Sequence, residues 1–356
     1  MRIAQIAPLY ESVPPIAYGG TERVIAALCD GLTARGHEVV LFAADSSTTD
    51  ATLQGQGPAL RTRMTKQELA EVAPHLHLRM LEDVYAQADA FDVIHSHVDV
   101  WTLPFTLRTA TPSVLTLHGR LDIDQTRRVL PLYPDVPLVS ISNDQRRPLS
   151  GDQVHWAGTV YNGLDLAAYG RVDLPRGNHL AFLGRISPEK RPDLAVEVAR
   201  RTGRPLRMAA KVDPVDVEYH QTVIEPLIGD DVTFLGEIGE TDKPAFLASA
   251  AATMFPSDWP EPFGLVMIES MAAGTPVIAL RRGSVPEVVA HGVSGFICDD
   301  VDEMVDAVQR LDELDPDECR RHAERFDADV MCAGYEAVYE RMARAERGAH
   351  VEATRR

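Results

Sequence analysis

Short apolar runs separated by helical stretches set the rhythm of this chain. Residues 2–8 read as a strand, 21–35 as an amphipathic helix closed by Gly36, and 38–43 as a second strand. Further short apolar runs lie at 93–97, 114–118 and 138–142. Strands that alternate with helices imply a parallel, doubly wound sheet. Residues 45–67, rich in Thr, Gly and Gln, show no period and are expected to form a loop, of the long kind that often serves as a lid. Around 157–177 the pattern breaks into Asn-Gly, Tyr-Gly and Pro-Arg-Gly punctuation, which predicts an interdomain linker. The scheme then restarts with a strand at 179–183, a loop at 184–191 and a helix at 192–201 opened by Pro192. Strands are expected again at 206–210, 232–235, 252–255 and 277–280. From residue 318 the chain reads as helical and charged. Met331, Tyr335, Val338, Tyr339 and Met342 fall on one helical face, so this segment should pack.

The expected fold class is therefore α/β, with two Rossmann-like domains and a cleft between them. The boundaries implied are 1–170 and 171–330, followed by a helix at 331–347 and a frayed tail at 348–356. A length of 356 residues suits two domains of about 100–200 residues each. Ligands of such sheets sit beyond the carboxyl ends of the strands, so the segments just after each strand are where chemistry is to be sought.

Composition narrows the field. Hydrophobic residues make up 45% and charged residues 25%, an ordinary globular mix. The formal net charge of −18 would repel a polyphosphate backbone, which argues against nucleic acid as a partner. A single diphosphate can still be held by a few local cations. Cys29, Cys298, Cys319 and Cys332 are far apart and read as reduced, mostly buried thiols, consistent with a cytoplasmic location. The first residues read as a strand and not as a signal peptide, and no apolar stretch is long enough to span a bilayer. His95-Ser96-His97 could share a ligand, but no third metal ligand follows at suitable spacing. His75 and His77, in a polar helical region, are expected to be solvated. Trp101 and Trp156 are expected in a core or interface, and Trp259 beside Glu261 is expected to line the cleft.

Three segments stand out as carriers of chemistry. Tyr18-Gly19-Gly20-Thr21-Glu22 follows the first strand and opens a helix, where backbone amides can approach a phosphate or sugar. Gly184-Arg185-Ile186-Ser187-Pro188-Glu189-Lys190-Arg191 puts cations beside a helix start in an otherwise acidic chain, as a diphosphate clamp requires. Pro256 to Glu269 passes from a strand end through a proline-rich turn into a helix expected to start near Phe263. With most of that span helical, Glu261 and Glu269 would lie about 10–12 Å apart. That is wider than the ~5–9.5 Å of glycosidase carboxylate pairs, and suits two groups gripping different ends of one extended ligand.

The Glu261-x7-Glu269 segment, with Ser270-Met271-Ala272-Ala273-Gly274-Thr275-Pro276 after it, resembles family 4 glycosyltransferases of the GT-B fold. So do Gly19-Gly20, Thr116-Leu117-His118-Gly119, Asn162-Gly163-Leu164-Asp165, Gly184-Arg185 with Lys190, and Gly283-Ser284-Val285-Pro286-Glu287, all in family order. The resemblance implies a retaining, metal-independent hexosyltransferase that moves a sugar from a nucleotide diphosphate donor, a UDP- or GDP-sugar, to a hydroxyl of a small-molecule or glycan acceptor. The acceptor would lie on the N-terminal domain and the donor on the C-terminal one. Gly20 would offer its amide to the diphosphate, and Gly19 would let the loop come close. Arg185 and Lys190 would neutralise the leaving phosphate. Glu261 would hold a donor-sugar hydroxyl with backbone groups of Phe263, Gly264 and Leu265, Glu269 would hold the ribose, and His118 would orient the sugar. The 331–347 helix would return to the N-terminal domain. Lys190 is followed by Arg191 where many members have Gly. No cofactor or metal is implied. Asp122-Ile123-Asp124 and Asp327-Ala328-Asp329 match the Asp-x-Asp of metal-dependent GT-A enzymes, as chance allows in so acidic a chain. The competing readings are a non-catalytic nucleotide-sugar-binding module and another GT-B activity, such as a nucleotide-sugar epimerase or a phosphorylase.

Overall fold

The computed structural model describes residues 1–17, 19–149, 151, 153–170, 172 and 174–353, with side chains as far as 344. The chain forms two compact units: Met1–Leu164 together with Ala328–Arg356, and Asp165–Asp327.

The first unit is built on β1 (Arg2–Ile6), β2 (Glu38–Ala43), β3 (Thr52–Gly55), β4 (Val93–Ser96), β5 (Ser113–Leu117), β6 (Pro137–Ser140) and β7 (His155–Thr159). They form one sheet in the order β3-β2-β1-β4-β5-β6-β7, with every pair parallel. Both faces of β4 and β5 are buried, which is why these strands read as unbroken runs and not as alternation. Ile6, Phe42, Leu81 and Ile94 share one apolar cluster, and Leu103, Leu115, Leu130 and Leu138 another. The strand order reverses between β1 and β4, so their carboxyl ends form the unit's topological switch point.

Three expectations are corrected here. Residues 45–67 are not simply a loop, because β3 pairs with β2 inside them. As a half-exposed edge strand, β3 has no buried face to impose a period. The helix Lys66–Tyr85 follows, opened by a capping box between Thr65 and Glu68. His77 on that helix is fully buried, not solvated: Nδ1 donates to the Ala73 carbonyl (2.7 Å) and Nε2 accepts from the Leu9 amide (2.9 Å). β7 lies where a linker was expected, and the unit runs on to Leu164 and not to 170. Residues 163–164 are tied to the helix Ala328–Ala353, since the Gly163 amide meets Met331 Sδ at 3.1 Å and the Leu164 carbonyl accepts from the Ala328 amide at 2.9 Å.

That C-terminal helix packs in the first unit against the helix Gly20–Ala34. Arg35 and His37 both bond Glu336, at 2.7 Å each. Tyr335 and Tyr339 are fully buried. The backbone stays helical to Ala353, so the expected tail at 348–356 is helical as far as 353, and 354–356 lie outside the described residues.

The second unit contains β8 (Leu180–Ile186), β9 (Leu206–Val212), β10 (Val232–Gly236), β11 (Ala252–Phe255), β12 (Val277–Leu280) and β13 (Gly295–Cys298). Their order is β10-β9-β8-β11-β12-β13, again all parallel. Strand β13, four residues long and bounded by Gly295, was not anticipated. Phe182, Met208, Met254, Ile278 and Phe296 fill the core against the helices Pro192–Thr202 and Val301–Gln309. The order reverses between β8 and β11, which places the segments after these two strands side by side. The four cysteines are buried free thiols.

Candidate active site

The second unit's switch point is where the sequence concentrates its cations. Strand β8 ends at Ile186, and a single turn, Pro188–Lys190, follows. Arg191 then adopts the left-handed region (φ +51°) before Pro192 opens the next helix. This reversal returns Lys190 over the exit of β11. Its Nζ pairs with Glu261 Oε2 and stands 5.0 Å from the centre of the Trp259 ring and 5.6 Å from that of Phe255. Trp259 Nε1 donates to the same carboxylate oxygen at 2.7 Å. A hydrogen bond that the Asp258 amide donates to the Glu189 carbonyl (3.0 Å) joins the two loops. Lys190 and Glu261 keep side-chain exposures of 13% and 12%, so the pair is shielded yet reachable.

Arg185 lies opposite Lys211 in the β8–β9 register. Its guanidinium spans Asp213 and Glu189, at 3.3 Å to each. Burial works against ionisation of Asp213, but Lys211 and Arg185 outweigh it and hold the carboxyl below its usual range. Arg191 bonds Asp193 at 2.8 Å and lies 3.6 Å from Asp258. Four cations thus converge at the carboxyl end of one sheet in a chain whose net charge is −18.

The turn that presents Glu261 is clamped from β12. Gly283 (φ +54°) passes so close that a Cβ there would overlap the Glu261 backbone. The Ser284 amide donates to the Glu261 carbonyl (2.9 Å), and Ser284 Oγ donates to the Phe263 carbonyl (2.7 Å). Phe263 is buried, and Gly264 takes φ +82° where a Cβ would press on Met267 and Phe255. The helix starts at Leu265, two residues after Phe263, and ends at Ala272. Glu269 lies within it, 1% exposed, accepting from Tyr169 Oη at 2.7 Å with Lys243 Nζ 3.9 Å away. A carboxylate so buried needs such partners.

In the first unit Gly20 opens the helix after β1. Gly19 is extended, and it is the nearness of Pro15, not its φ, that excludes a side chain. Glu22 in the first turn is 5% exposed, and burial pushes its carboxyl up. The helix start therefore already carries an acid of its own.

His118 follows β5 and His97 follows β4, with His118 Nε2 and His97 Nδ1 2.8 Å apart. Burial pushes His118 down to about 4 and drives His97 and His95 well below the ordinary imidazole range. His95 bonds Tyr339 Oη (2.6 Å) and Thr116 Oγ1 (2.7 Å). Among the described residues, no group of three or more His, Cys, Asp or Glu is arranged to hold a metal ion. Asp122 is bound by Arg120 and Asp124 by Arg128. Among the same residues no helix is long and apolar enough to cross a membrane.

The structure thus brings Arg185, Lys190, Glu261, Phe263, Gly264, Leu265 and Glu269 together in the second unit, and places Gly19, Gly20 and His118 in the first. Tyr169, Lys211 and Lys243 escaped the sequence reading, since no motif marks them. Trp259 was singled out, but only the fold shows that it grips Glu261.

Two doubly wound parallel sheets, one with cations and a clamped carboxylate at its switch point, define a GT-B glycosyltransferase. Residues 174–327 match the family model of glycosyl transferases group 1, and residues 18–167 match that of glycosyltransferase family 4. The chain belongs to the family 4 glycosyltransferases and is an enzyme that moves a sugar from donor to acceptor. It is 27% identical to the phosphatidyl-myo-inositol mannosyltransferase of Mycolicibacterium smegmatis, over 96% of this chain and 94% of that one. AviGT4, a glycosyltransferase involved in avilamycin A biosynthesis, is 26% identical and superposes with a TM-score of 0.71 over 96% and 98% of the two chains. HepE of Anabaena, solved with UDP and glucose, is 18% identical with a TM-score of 0.74 over 96% and 99%.

Proposed function

We propose that the enzyme is a retaining, metal-independent hexosyltransferase using a UDP- or GDP-sugar, with the donor bound by the second unit and the acceptor by the first. The observation that carries this reading is the Lys190–Glu261 pair at the β8–β11 switch point, with Arg185 beside it. When the bond from the sugar carbon to the phosphate oxygen breaks, negative charge builds on the diphosphate and positive character on the carbon. Lys190 and Arg185 stabilise the first through preorganised charge, which is worth most where water is scarce. Trp259 and Lys190 hold Glu261 so that its second oxygen can accept a sugar hydroxyl, and the amides at Gly264 and Leu265 open the adjoining helix. Glu269 holds the ribose. His118 orients the sugar. In the first unit, the Gly20 amide approaches the diphosphate.

The acceptor oxygen attacks the sugar carbon from the face that the phosphate leaves, and the departing phosphate oxygen takes the acceptor proton. No covalent glycosyl-enzyme forms in this scheme. The binding of UDP by HepE, a protein of the same fold, favours a uridine donor.

A thermal-shift screen of UDP- and GDP-hexoses tests the donor class, since a ligand that binds only the folded state raises the melting temperature. Trapping a glycosylated Asp or Glu during turnover would overturn the mechanism. Tight binding of a nucleotide sugar with neither transfer nor slow hydrolysis would overturn the role assigned to the site.

A further inference from the structure

Seven side chains of the first unit form one continuous polar chain: Tyr335, Thr116, His95, Tyr339, Gln5, His97 and His118. The successive separations are 3.1, 2.7, 2.6, 3.1, 3.0 and 2.8 Å. All but the last are buried, and they come from the C-terminal helix, β1, β4, β5 and the segments just after β4 and β5. Polar groups sealed in this way are held in fixed roles, because each donor must find an acceptor.

The roles follow from Gln5, whose amide can donate only through Nε2 and accept only through Oε1. Gln5 Nε2 donates to Tyr339 Oη, so Oε1 must accept, and the group it faces is His97 Nε2. His97 therefore carries its proton on Nε2, and its Nδ1 is left as an acceptor. The atom facing that Nδ1 is His118 Nε2, which must donate. The nitrogen that bears the proton in an imidazole is set by the bond the other ring partner makes.

We infer that His97 and Gln5 are positioning residues that lock His118 in the neutral Nε2–H form and present its Nδ1 lone pair as a hydrogen-bond acceptor for a substrate hydroxyl. The inference rests on the proposed contact between His118 and the donor sugar. It adds a selection rule: the group met by His118 must be able to donate a proton. A sugar with hydrogen or an ether at that position would cover the Nδ1 lone pair and leave it unsatisfied, a form of rejection stronger than a missing apolar contact. It also assigns the C-terminal helix a part in the chemistry, since Tyr339 orients the Gln5 amide.

Nitrogen-15 NMR of the histidine rings in the ligand-free protein provides the test. The inference expects His118 with a bare Nδ1 and a protonated Nε2. In His97→Phe, which keeps a ring but removes the acceptor, the two His118 nitrogens should move toward a tautomer mixture. Turnover of the UDP- or GDP-hexose used by the protein should fall about tenfold, as for one lost hydrogen bond. His97→Asn, which restores an acceptor near the position of Nδ1, should recover most of both. Should His97→Phe fail to fold, Tyr339→Phe removes a single oxygen and should loosen the same tautomer. A proton on His118 Nδ1 in the wild type, or an unchanged His118 ring in both His97→Phe and Tyr339→Phe, would overturn the inference. The donor-site reading fails separately, by intact transfer in His118→Ala, and the ring spectra still decide the tautomer in that event.

Discussion

Lys190 and Glu261 are 71 positions apart in sequence and form a shielded ion pair, because β8 and β11 are neighbours at the point where the strand order reverses. Each arrives on a turn that its own loop could not hold alone. Arg191 reverses the first turn in the left-handed region, and Gly283 with Ser284 pins the second. Trp259 closes the arrangement by donating to the carboxylate while its ring faces the ammonium.

Replacing Lys190 by Ala removes the cation paired with Glu261 and leaves the carboxylate without its countercharge. Turnover should fall on the order of 10²–10³-fold, the usual cost of losing one preorganised charge-stabilising donor. The melting temperature should move little, since the pair is partly solvated and Trp259 still holds Glu261. Steady-state kinetics beside a thermal melt checks both, and unchanged kinetics would remove Lys190 from the site.

Gly283→Ala is expected to be more damaging than its size suggests. The added methyl meets the Glu261 backbone, and φ +54° strains any side chain. Strain of this kind costs about 1–3 kcal/mol, and relieving it must displace the Glu261 turn. Stability and transfer should therefore drop together. An active variant with a wild-type melt would show that the turn can shift without consequence.

Glu269 and Tyr169 allow stability to be separated from binding. Tyr169→Phe leaves the buried carboxylate short of a donor and should cost about 1–3 kcal/mol of stability. Its effect on the KM for the donor should be small. Glu269→Gln keeps an acceptor for Tyr169 but removes the charge proposed to hold the ribose, so KM should rise several-fold with a smaller change in the melt. The reverse pattern would make Glu269 a structural group.

Acid should weaken the first unit through its histidines. Burial lowers His118 from 6.5 to about 4, and lowers His95, His97 and His77 as well. The unfolded chain then binds more protons than the folded one between those values, so stability rises with pH there. The stabilisation is fully present above about pH 6.5 and is lost as pH falls toward 4. Melting temperature measured from pH 7 to 4.5 should decline, and more gently in His118→Asn. A flat profile would mean that these rings titrate in the fold as they do in the unfolded chain.

From the amino-acid order alone came the parallel α/β class, the restart of the pattern in the second half, and the cation-rich turn after β8. Each is a local signal: strand-length apolar runs, a proline at a helix start, three cations in an acidic chain. β3 and β7 were missed because edge strands have one unpaired side and little burial, so nothing forces their side chains to alternate. His77 was misjudged because the helix that carries it is rich in charged residues, although Leu76 and Leu78 flank it, and because Tyr10 and Trp101 come from elsewhere to cover it.

Folding alone decided which distant groups meet. The pairing of Glu269 with Tyr169, the close passage of Gly283 over Glu261, and the chain of bonds from Tyr335 to His118 join segments up to 334 positions apart. Periodicity reports how a residue lies on its own element. The partner it finds depends on strand order and on where each turn is clamped, and these are settled only when the sheets are assembled.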